Sequence, residues 1–250
     1  MLRSRIIPSL LLHAGGLVKT THFSNPKYVG DPINAVKIFN EKEVDELIFF
    51  DIDASLNKAE PNLKLLRSIA VESRMPLCYG GGINDASVAS EIINIGFEKV
   101  SVSSAAISRP TLIREMADTI GSQSVVVTID VRKNKFLSGY TVYTHNGTQK
   151  SKVPFLDFCR QAIELGAGEI VVNSIDRDGA MCGYDLDLAD QLRAAVDGPI
   201  TLLGGCGSVE HLQSLIDAVG VVGAAAGSFF VFKGHYRAVL ISYIRPSRLF

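Results

Sequence analysis

The chain has 250 residues, of which 47% are hydrophobic, and this size and composition support one large buried core. Its formal net charge of −1 provides no basic field, which disfavours nucleic acid and anionic membrane surfaces as main partners. Its four cysteines lie far apart without CxxC spacing, and no run approaches the ~18 apolar residues of a membrane span. We therefore expect a cytoplasmic protein without a metal site, whose partners are small molecules or other proteins.

Short apolar segments recur along the chain, and most of them end in Gly, Ser or Asp. In chain order they are RIIPSLLL, ELIFFDID, MPLCYGGG, EKVSVSS, SVVVTID, EIVVNSID, PITLLGG and VVGAAAGS. Helical patterns with start signals lie between them, such as Asp31 before Pro32, Pro110 near a first turn, and Ser208 as a cap. This alternation predicts a parallel sheet covered by helices on both faces, and at this length the closed form is a (β/α)8 barrel.

The two halves of the sequence resemble each other. The segment that begins PLCYGGGIND at Pro76 matches the one that begins PITLLGGCGS at Pro199, and ELIFFDID matches EIVVNSID at the same offset. A half-barrel of four strands cannot close its own sheet, so the repeat predicts one domain, residues 1–250, built from two duplicated half-barrels.

Glycine and small hydroxyl residues follow four of the predicted strands, in register with the repeat. They are Gly80, Gly81 and Gly82 after the third, Ser103 and Ser104 after the fourth, Gly204, Gly205 and Gly207 after the seventh, and Gly227 and Ser228 after the eighth. Bare backbone N–H groups beside hydroxyls suit a phosphate dianion, so two such sets predict a ligand with a phosphate at each end. The alternative is that glycine only lets strand and helix pack closely.

At this point the chain resembles the cyclase subunit of imidazole glycerol phosphate synthase. The segments RIIPSL, GLVK, GDP, DELIFFDI, GGGI, EKVS, GSQSVVVTID, GAGEIVVNSIDRDG and GYD occur in the family's order over nearly the whole chain. The resemblance implies a barrel that receives ammonia from a partner glutaminase subunit, as a heterodimer. It also implies addition of that ammonia to a bis-phosphorylated ribulosyl aminoimidazole carboxamide compound, with closure of the imidazole ring and without a cofactor.

The resemblance also assigns the ligand contacts. Lys19, in a long loop after the first strand, would be a mobile lid contact to the substrate. Gly82, Ser103 and Asp178 would flank one phosphate, and Gly205 and Ser228 the other, with Ser104 and Gly227 beside them. Thr20 and Ser103 replace residues that the family tends to have as Gly and Asn, which suggests an altered ligand. Asp51 and Asp176 lie near strand ends, where they either carry acid–base chemistry or cap the following helices.

One of the family's two catalytic aspartates is missing. The resemblance places them at the ends of the first and fifth strands, where this chain has Leu11 and Asp130, and the internal repeat also sets these two positions opposite each other. Leucine cannot transfer a proton, and loss of one general acid or base typically costs ~10²–10⁴ in rate, about 3–5 kcal/mol of barrier. His13 is either a substitute proton donor or an exposed loop residue.

Four charged residues begin predicted strands at the opposite end of the barrel: Arg5, Glu46, Lys99 and Glu169. By resemblance they form a gate at the bottom of an ammonia path that faces the glutaminase, and Gln123 belongs to the same docking surface. The alternative is an ion-pair plug that only stabilises the barrel, because buried charges must be paired.

Three functions remain open. The first is a diverged paralogue that passes ammonia to another acceptor, for example in the amidination of a sugar for surface polysaccharide, as the resemblance implies. The second is an authentic cyclase of histidine biosynthesis that tolerates Leu11. The third is a non-catalytic scaffold or activator of a glutaminase.

Overall fold

The computed structural model describes residues 3–57, 59–135 and 138–245. The strands are β1 (Arg5–His13), β2 (Gly16–Thr21), β3 (Ser24–Gly30), β4 (Leu47–Asp51), β5 (Leu77–Gly80), β6 (Lys99–Val102), β7 (Val125–Lys133), β8 (Tyr140–Thr144), β9 (Gln149–Pro154), β10 (Glu169–Ser174), β11 (Ile200–Leu203), β12 (Gly223–Ala226), β13 (Phe232–Lys233) and β14 (Ala238–Val239). The α-helices are α1 (Pro32–Lys42), α2 (Ala54–Asn57), α3 (Leu63–Glu72), α4 (Ala86–Ile95), α5 (Ser104–Ser108), α6 (Thr111–Ile120), α7 (Phe155–Glu164), α8 (Leu186–Ala195), α9 (Val209–Val219) and α10 (Ser228–Val231).

Eight parallel strands close into a barrel. The hydrogen-bonded order is β1, β4, β5, β6, β7, β10, β11, β12, and β12 returns to β1. Each of these strands is followed by at least one helix, so the predicted (β/α)8 fold is confirmed. None of the described helices is long and apolar enough to span a membrane.

The strand register repeats between the two halves of the barrel. Leu11 on β1 pairs with Phe50 on β4, and at the corresponding place Asp130 on β7 pairs with Asn173 on β10. An antiparallel hairpin also follows the first strand of each half, formed by β2 and β3 in one and by β8 and β9 in the other. The pairing therefore supports the duplication and makes Leu11 the structural counterpart of Asp130.

The β2–β3 hairpin differs from the sequence prediction, which treated this segment as a long loop. Leu17 and Val18 are buried and pair with Gly30 and Tyr28 of β3. The backbone of this segment therefore forms its hydrogen bonds within the sheet. A turn at Ala14 and Gly15, both with positive φ, joins it to β1.

Predicted helix caps form as expected. The Asp31 side chain accepts a hydrogen bond from the Asn34 backbone N–H at 2.9 Å, and Ser208 accepts one from the His211 N–H at 3.3 Å. Each cap satisfies a backbone donor that has no partner inside its helix.

The last helix, α10, is only a single turn. The β13–β14 hairpin and an extended segment follow it along the outside of the barrel. The Tyr243 hydroxyl donates to the Ile6 carbonyl at 3.0 Å and accepts from the Asp45 N–H at 3.2 Å, which fixes this segment against the start of β1. At this place the outer layer of the barrel consists of an extended segment instead of a long helix.

Side chains that point into the barrel form layers. Arg5, Ile7, Ser9 and Leu11 alternate with residues that pack against the helices, because successive side chains of a strand point to opposite faces. An apolar layer fills the middle of the barrel: Ile7, Ile48, Cys78, Val126, Val171, Leu203 and Ala225, with Phe50 packed against them. This layer separates the charged end of the barrel from the end where the strands finish.

We expect Ser208→Ala to lower the free energy of unfolding by about 1 kcal/mol, because the first turn of α9 loses its cap. Urea unfolding followed by circular dichroism measures the loss. Ser214→Ala is the matched control, because Ser214 lies within the same helix and bonds only back to the Glu210 carbonyl. A control loss as large as that of Ser208→Ala would contradict the assignment.

Candidate functional site

A cavity of about 430 Å³ lies at the carboxyl ends of the barrel strands. It collects residues from the strand ends, the following loops and both long hairpins. Most of the predicted ligand and catalytic positions line it: Leu11, Lys19, Asp51, Gly82, Ser103, Ser104, Asp130, Asp178, Gly205, Gly227 and Ser228. The structure therefore brings together residues that are up to 217 positions apart in the sequence.

Asp130 is the carboxylate at one of the two cavity positions that the internal symmetry relates. Removal from water raises its pKa to about 7, and the charge of Asp178 adds to the rise, whereas a hydrogen bond from Asn173 opposes it. Near neutral pH the group is thus present in both protonation states, which suits a general acid or base. Across the internal symmetry the cavity wall has Leu11 and Phe50 instead, and neither can take part in proton transfer.

The other candidate acids divide between cavity and loops. Asp51 lines the cavity, but its Oδ1 accepts hydrogen bonds from the backbone N–H groups of Asp53 and Ala54 at 3.0 and 3.1 Å. Burial raises the pKa of Asp51. The Asp51 carboxylate therefore supports the start of α2 and also lines the cavity. Asp176 accepts from the Lys133 N–H at 2.9 Å and is not among the residues that line the cavity.

His13 lies at the end of β1, outside the set of cavity-lining residues. Its Nδ1 lies 2.7 Å from Oδ1 of Asp53, within hydrogen-bonding distance and near the surface. This position gives His13 a partner in the loop, so the geometry favours the interpretation of His13 as a loop residue.

Lys19 belongs to β2 and is buried above the cavity. Its Nζ donates to the Ser9 carbonyl at 2.7 Å and lies against Gly227, so closely that a Cβ at that glycine would come within 2.2 Å of it. Burial lowers the pKa of Lys19 to about 8, although Asp178 opposes the shift. Asp178 itself accepts hydrogen bonds from the Thr20 hydroxyl and the Phe23 N–H, which groups it with Lys19 and the β2–β3 hairpin.

Two candidate anion sites face each other across the cavity. We name them the first cradle (Gly82, Ser103 and Ser104) and the second cradle (Gly205, Gly227 and Ser228). The Ser103 hydroxyl is buried and has no hydrogen-bond partner among the described residues, which leaves it free for a ligand. Gly205, at φ +104°, also lies so close to the Gly183 carbonyl that a Cβ would come within 2.0 Å of it. At Gly205, both explanations for glycine therefore hold: it allows close packing, and its backbone lines the cavity.

The tip of the β8–β9 hairpin supplies two cavity residues that the sequence analysis missed, His145 and Asn146. The His145 N–H donates to the Ser104 hydroxyl at 3.2 Å, and the Asn146 side chain donates to the Ile52 carbonyl. The sequence did carry a signal, because HNG lies between two segments that alternate in character, a pattern typical of a hairpin.

The four charged residues at the strand beginnings form a closed ion-pair ring. Arg5 contacts Glu46 and lies 2.6 Å from Glu169, while Lys99 lies 3.0 Å from Glu46 and 2.9 Å from Glu169. The Thr201 hydroxyl also donates to Glu169. Gln123 is exposed in a short 3-10 turn directly before β7, at the same end of the barrel.

The ring holds its members in their charged forms. Burial tends to raise the pKa of Glu169, but the charges of Arg5 and Lys99 and hydrogen bonds from Arg5 and Thr201 outweigh it and keep that pKa well below its ordinary value. Burial tends to lower the pKa of Lys99, and the two carboxylates outweigh it and raise that pKa. Each charge thus depends on its neighbours, because an unpaired charge at this depth is costly.

We expect Lys99→Ala to lower the free energy of unfolding by about 3–5 kcal/mol at pH 7, because it leaves two buried carboxylates with one cation. The depressed pKa of Glu169 contributes stability above the ordinary glutamate pKa, and this contribution falls as pH decreases toward the folded-state pKa. The difference between wild type and variant should therefore shrink below about pH 4.3. Urea unfolding at pH 7 and below about pH 4.3 measures this difference in stability. Lys37→Ala is the control, because Lys37 belongs to an exposed ion pair.

We expect the stability advantage of Asp130→Asn over wild type to grow as pH rises from about 4 to 7. The raised pKa means that the folded wild type binds a proton that the unfolded chain has lost in this range, so its stability falls with pH. The total change is about 4 kcal/mol, and the difference should be constant above pH 7. Urea unfolding of both proteins from pH 4 to 9 measures it, and a flat difference would contradict the burial of an ionisable Asp130.

Comparison with known proteins identifies the family. The model of the family described as "Histidine biosynthesis protein" matches residues 5–237. The chain is 53% identical to "Putative imidazole glycerol phosphate synthase subunit HisF" of Leptospira borgpetersenii, over 97% of this chain and 96% of that protein. It is 51% identical to "Putative imidazole glycerol phosphate synthase subunit hisF2" of Pseudomonas aeruginosa, over 100% of this chain and 99% of the relative.

Relatives whose names carry no qualifier or number are less similar. "Imidazole glycerol phosphate synthase subunit HisF" of Exiguobacterium sp. is 41% identical over 88% of this chain and 85% of its own length. The higher identity to the separately numbered subunits is consistent with a diverged paralogue. The chain therefore belongs to the histidine biosynthesis protein family, among the imidazole glycerol phosphate synthase HisF subunits and their paralogues.

Proposed function

We propose that this chain is the ammonia-accepting synthase subunit of a glutamine amidotransferase complex, in which a glutaminase subunit docks at the ion-pair ring. We further propose that the ammonia goes to an acceptor other than the histidine precursor. The observation that carries this proposal is the single carboxylate of the cavity's symmetric pair, Asp130 facing Leu11 across the internal twofold.

An ammonia path through the barrel is supported by the order of its layers. The ion-pair ring is at one end, the apolar layer around Val126 and Val171 is in the middle, and the cavity is at the other end. An apolar interior strongly disfavours a charged ammonium ion and admits a small neutral molecule at much lower cost. Docking of a glutaminase at the ring would place ammonia release beside the entrance to this path.

A different acceptor is supported by the chemistry of the cavity wall. Cyclisation of the imidazole with loss of a leaving group needs proton transfer on both faces of the intermediate, and Asp130 serves only one. Leu11 and Phe50 offer an apolar surface, whereas the resemblance to the cyclase subunit places an acid at position 11. An acceptor whose reaction needs a single acid–base group fits this wall better. One example is addition of ammonia to the carbonyl carbon of a phosphorylated sugar, in which the C=O π bond opens and one group transfers a proton from the nitrogen to the oxygen.

His145 supports a second candidate function, the ordinary cyclisation of histidine biosynthesis. His145 is one of the residues that line the cavity, and a histidine side chain can act as a general acid or base. In this alternative His145 replaces the missing carboxylate. The two proposals differ in one measurable respect, because only the second requires the wild type to close the imidazole ring at an enzymatic rate.

We expect the wild type to cyclise the bis-phosphorylated aminoimidazole carboxamide precursor slowly or not at all with ammonium salt, and Leu11→Asp to increase this rate by about 10²–10⁴. Formation of imidazole glycerol phosphate in the purified barrel is the measurement. Leu11→Asn is the matched control, because it has the shape of the aspartate without its proton chemistry, and it should gain nothing.

Wild-type turnover in the ordinary enzymatic range, about 1–10³ per second, would contradict the proposal of another acceptor. In that case His145→Ala tests the second candidate, and a loss of about 10²-fold would support it. Equal gains for Leu11→Asp and Leu11→Asn would show that shape and not proton transfer limits the reaction.

A further inference from the structure

Arg237 reaches from the β13–β14 hairpin back to the mouth of the barrel. It occupies the turn of that hairpin with φ +49°. Its Nη2 donates to the Gly179 carbonyl at 3.1 Å and to the Ser228 hydroxyl at 3.3 Å, and both of these residues line the cavity. The guanidinium group therefore lies at the edge of the second cradle.

The surroundings hold Arg237 in this position. Its guanidinium stacks over the ring of Phe232 at 4.8 Å, and its backbone carbonyl accepts a hydrogen bond from Lys27 of β3 at 3.1 Å. The Nε atom is buried and has no acceptor among the described residues. A buried charged donor without an acceptor costs free energy. The Nε–H of Arg237 is therefore available to donate to an acceptor atom of a ligand.

The two cradles differ in charge. The second cradle has Lys19 against Gly227 on one side and Arg237 against Ser228 on the other. Near the first cradle, Arg109 donates to the Asn84 carbonyl, but both oxygens of Glu115 neutralise it at 2.6 Å. Among the described ion pairs, none gives Arg237 a carboxylate partner. Asp178 offsets the charge of Lys19, but Arg237 has no such partner within the described part of the chain, so the second cradle is the more cationic end of the cavity.

We propose that Arg237 is an anion-binding and specificity-determining residue of the second cradle, which takes the phosphate group of a phosphate ester. The planar guanidinium presents several N–H donors in a geometry that matches phosphate oxygens. Because the Ser228 hydroxyl accepts from Arg237, its own hydrogen is available for donation to the same anion. This inference rests on the proposed function only in requiring a phosphorylated ligand in the cavity.

The test is a titration of the purified chain with inorganic phosphate, followed by backbone amide NMR. The Gly227 and Ser228 amides report on the second cradle, and the Gly82 and Ser103 amides report on the first. We expect Arg237→Ala to weaken phosphate binding at the second cradle about tenfold or more, with no change at the first. Arg237→Lys, which keeps the charge, should recover part of the affinity.

Lys233→Ala is the matched control, because it removes an exposed cation from the same hairpin. It should titrate like the wild type. Equal affinities at the second cradle in wild type and Arg237→Ala would overturn the assignment, as would equal losses in Arg237→Ala and Lys233→Ala. Should Arg237→Ala fail to fold, Arg237→Gln takes its place with the same criterion. A wild type that shows no phosphate shifts at either cradle would instead contradict the phosphorylated ligand of the proposed function.

Discussion

The register of the closed parallel sheet is the constraint on which the rest of this structure depends. Because side chains alternate along each strand, a fixed pairing decides which residues enter the barrel and at which height. One slip of β1 would move Arg5 and Leu11 out of the interior and expose Ile6 to it. The ion-pair ring, the apolar layer and the cavity thus follow from a single set of hydrogen-bonded pairs.

The same register places chemically different residues at equivalent positions of the two half-barrels. Equivalent positions in the two halves receive the same depth and direction, yet one wall has Asp130 and Asn173 and the other has Leu11 and Phe50. A ligand between these walls meets a polar, ionisable side and an apolar side. The cavity therefore favours a ligand with one polar face and one apolar face, even if both of its ends carry a phosphate group.

Much of the fold could be predicted from the sequence, because short apolar runs and caps such as Ser208 are local signals. The β2–β3 hairpin was missed since its polar residues, among them Lys19 and Thr20, are buried only through contact with the barrel mouth. His145 and Arg237 were missed for a related reason. Each enters the site from a turn whose direction depends on long-range contacts, with Ser104 in one case and Gly179 in the other.

A single carboxylate is not a poor catalyst for every reaction. With a pKa of about 7, Asp130 can release a proton in one step and accept one in the next, without a large cost in either direction near neutral pH. Two carboxylates would be needed where the steps occur on opposite faces of the ligand at once. Leu11 contributes only shape and apolar contact to its side of the cavity, so proton transfer there would fall to Asp51, whose Oδ1 is already bonded to the start of α2.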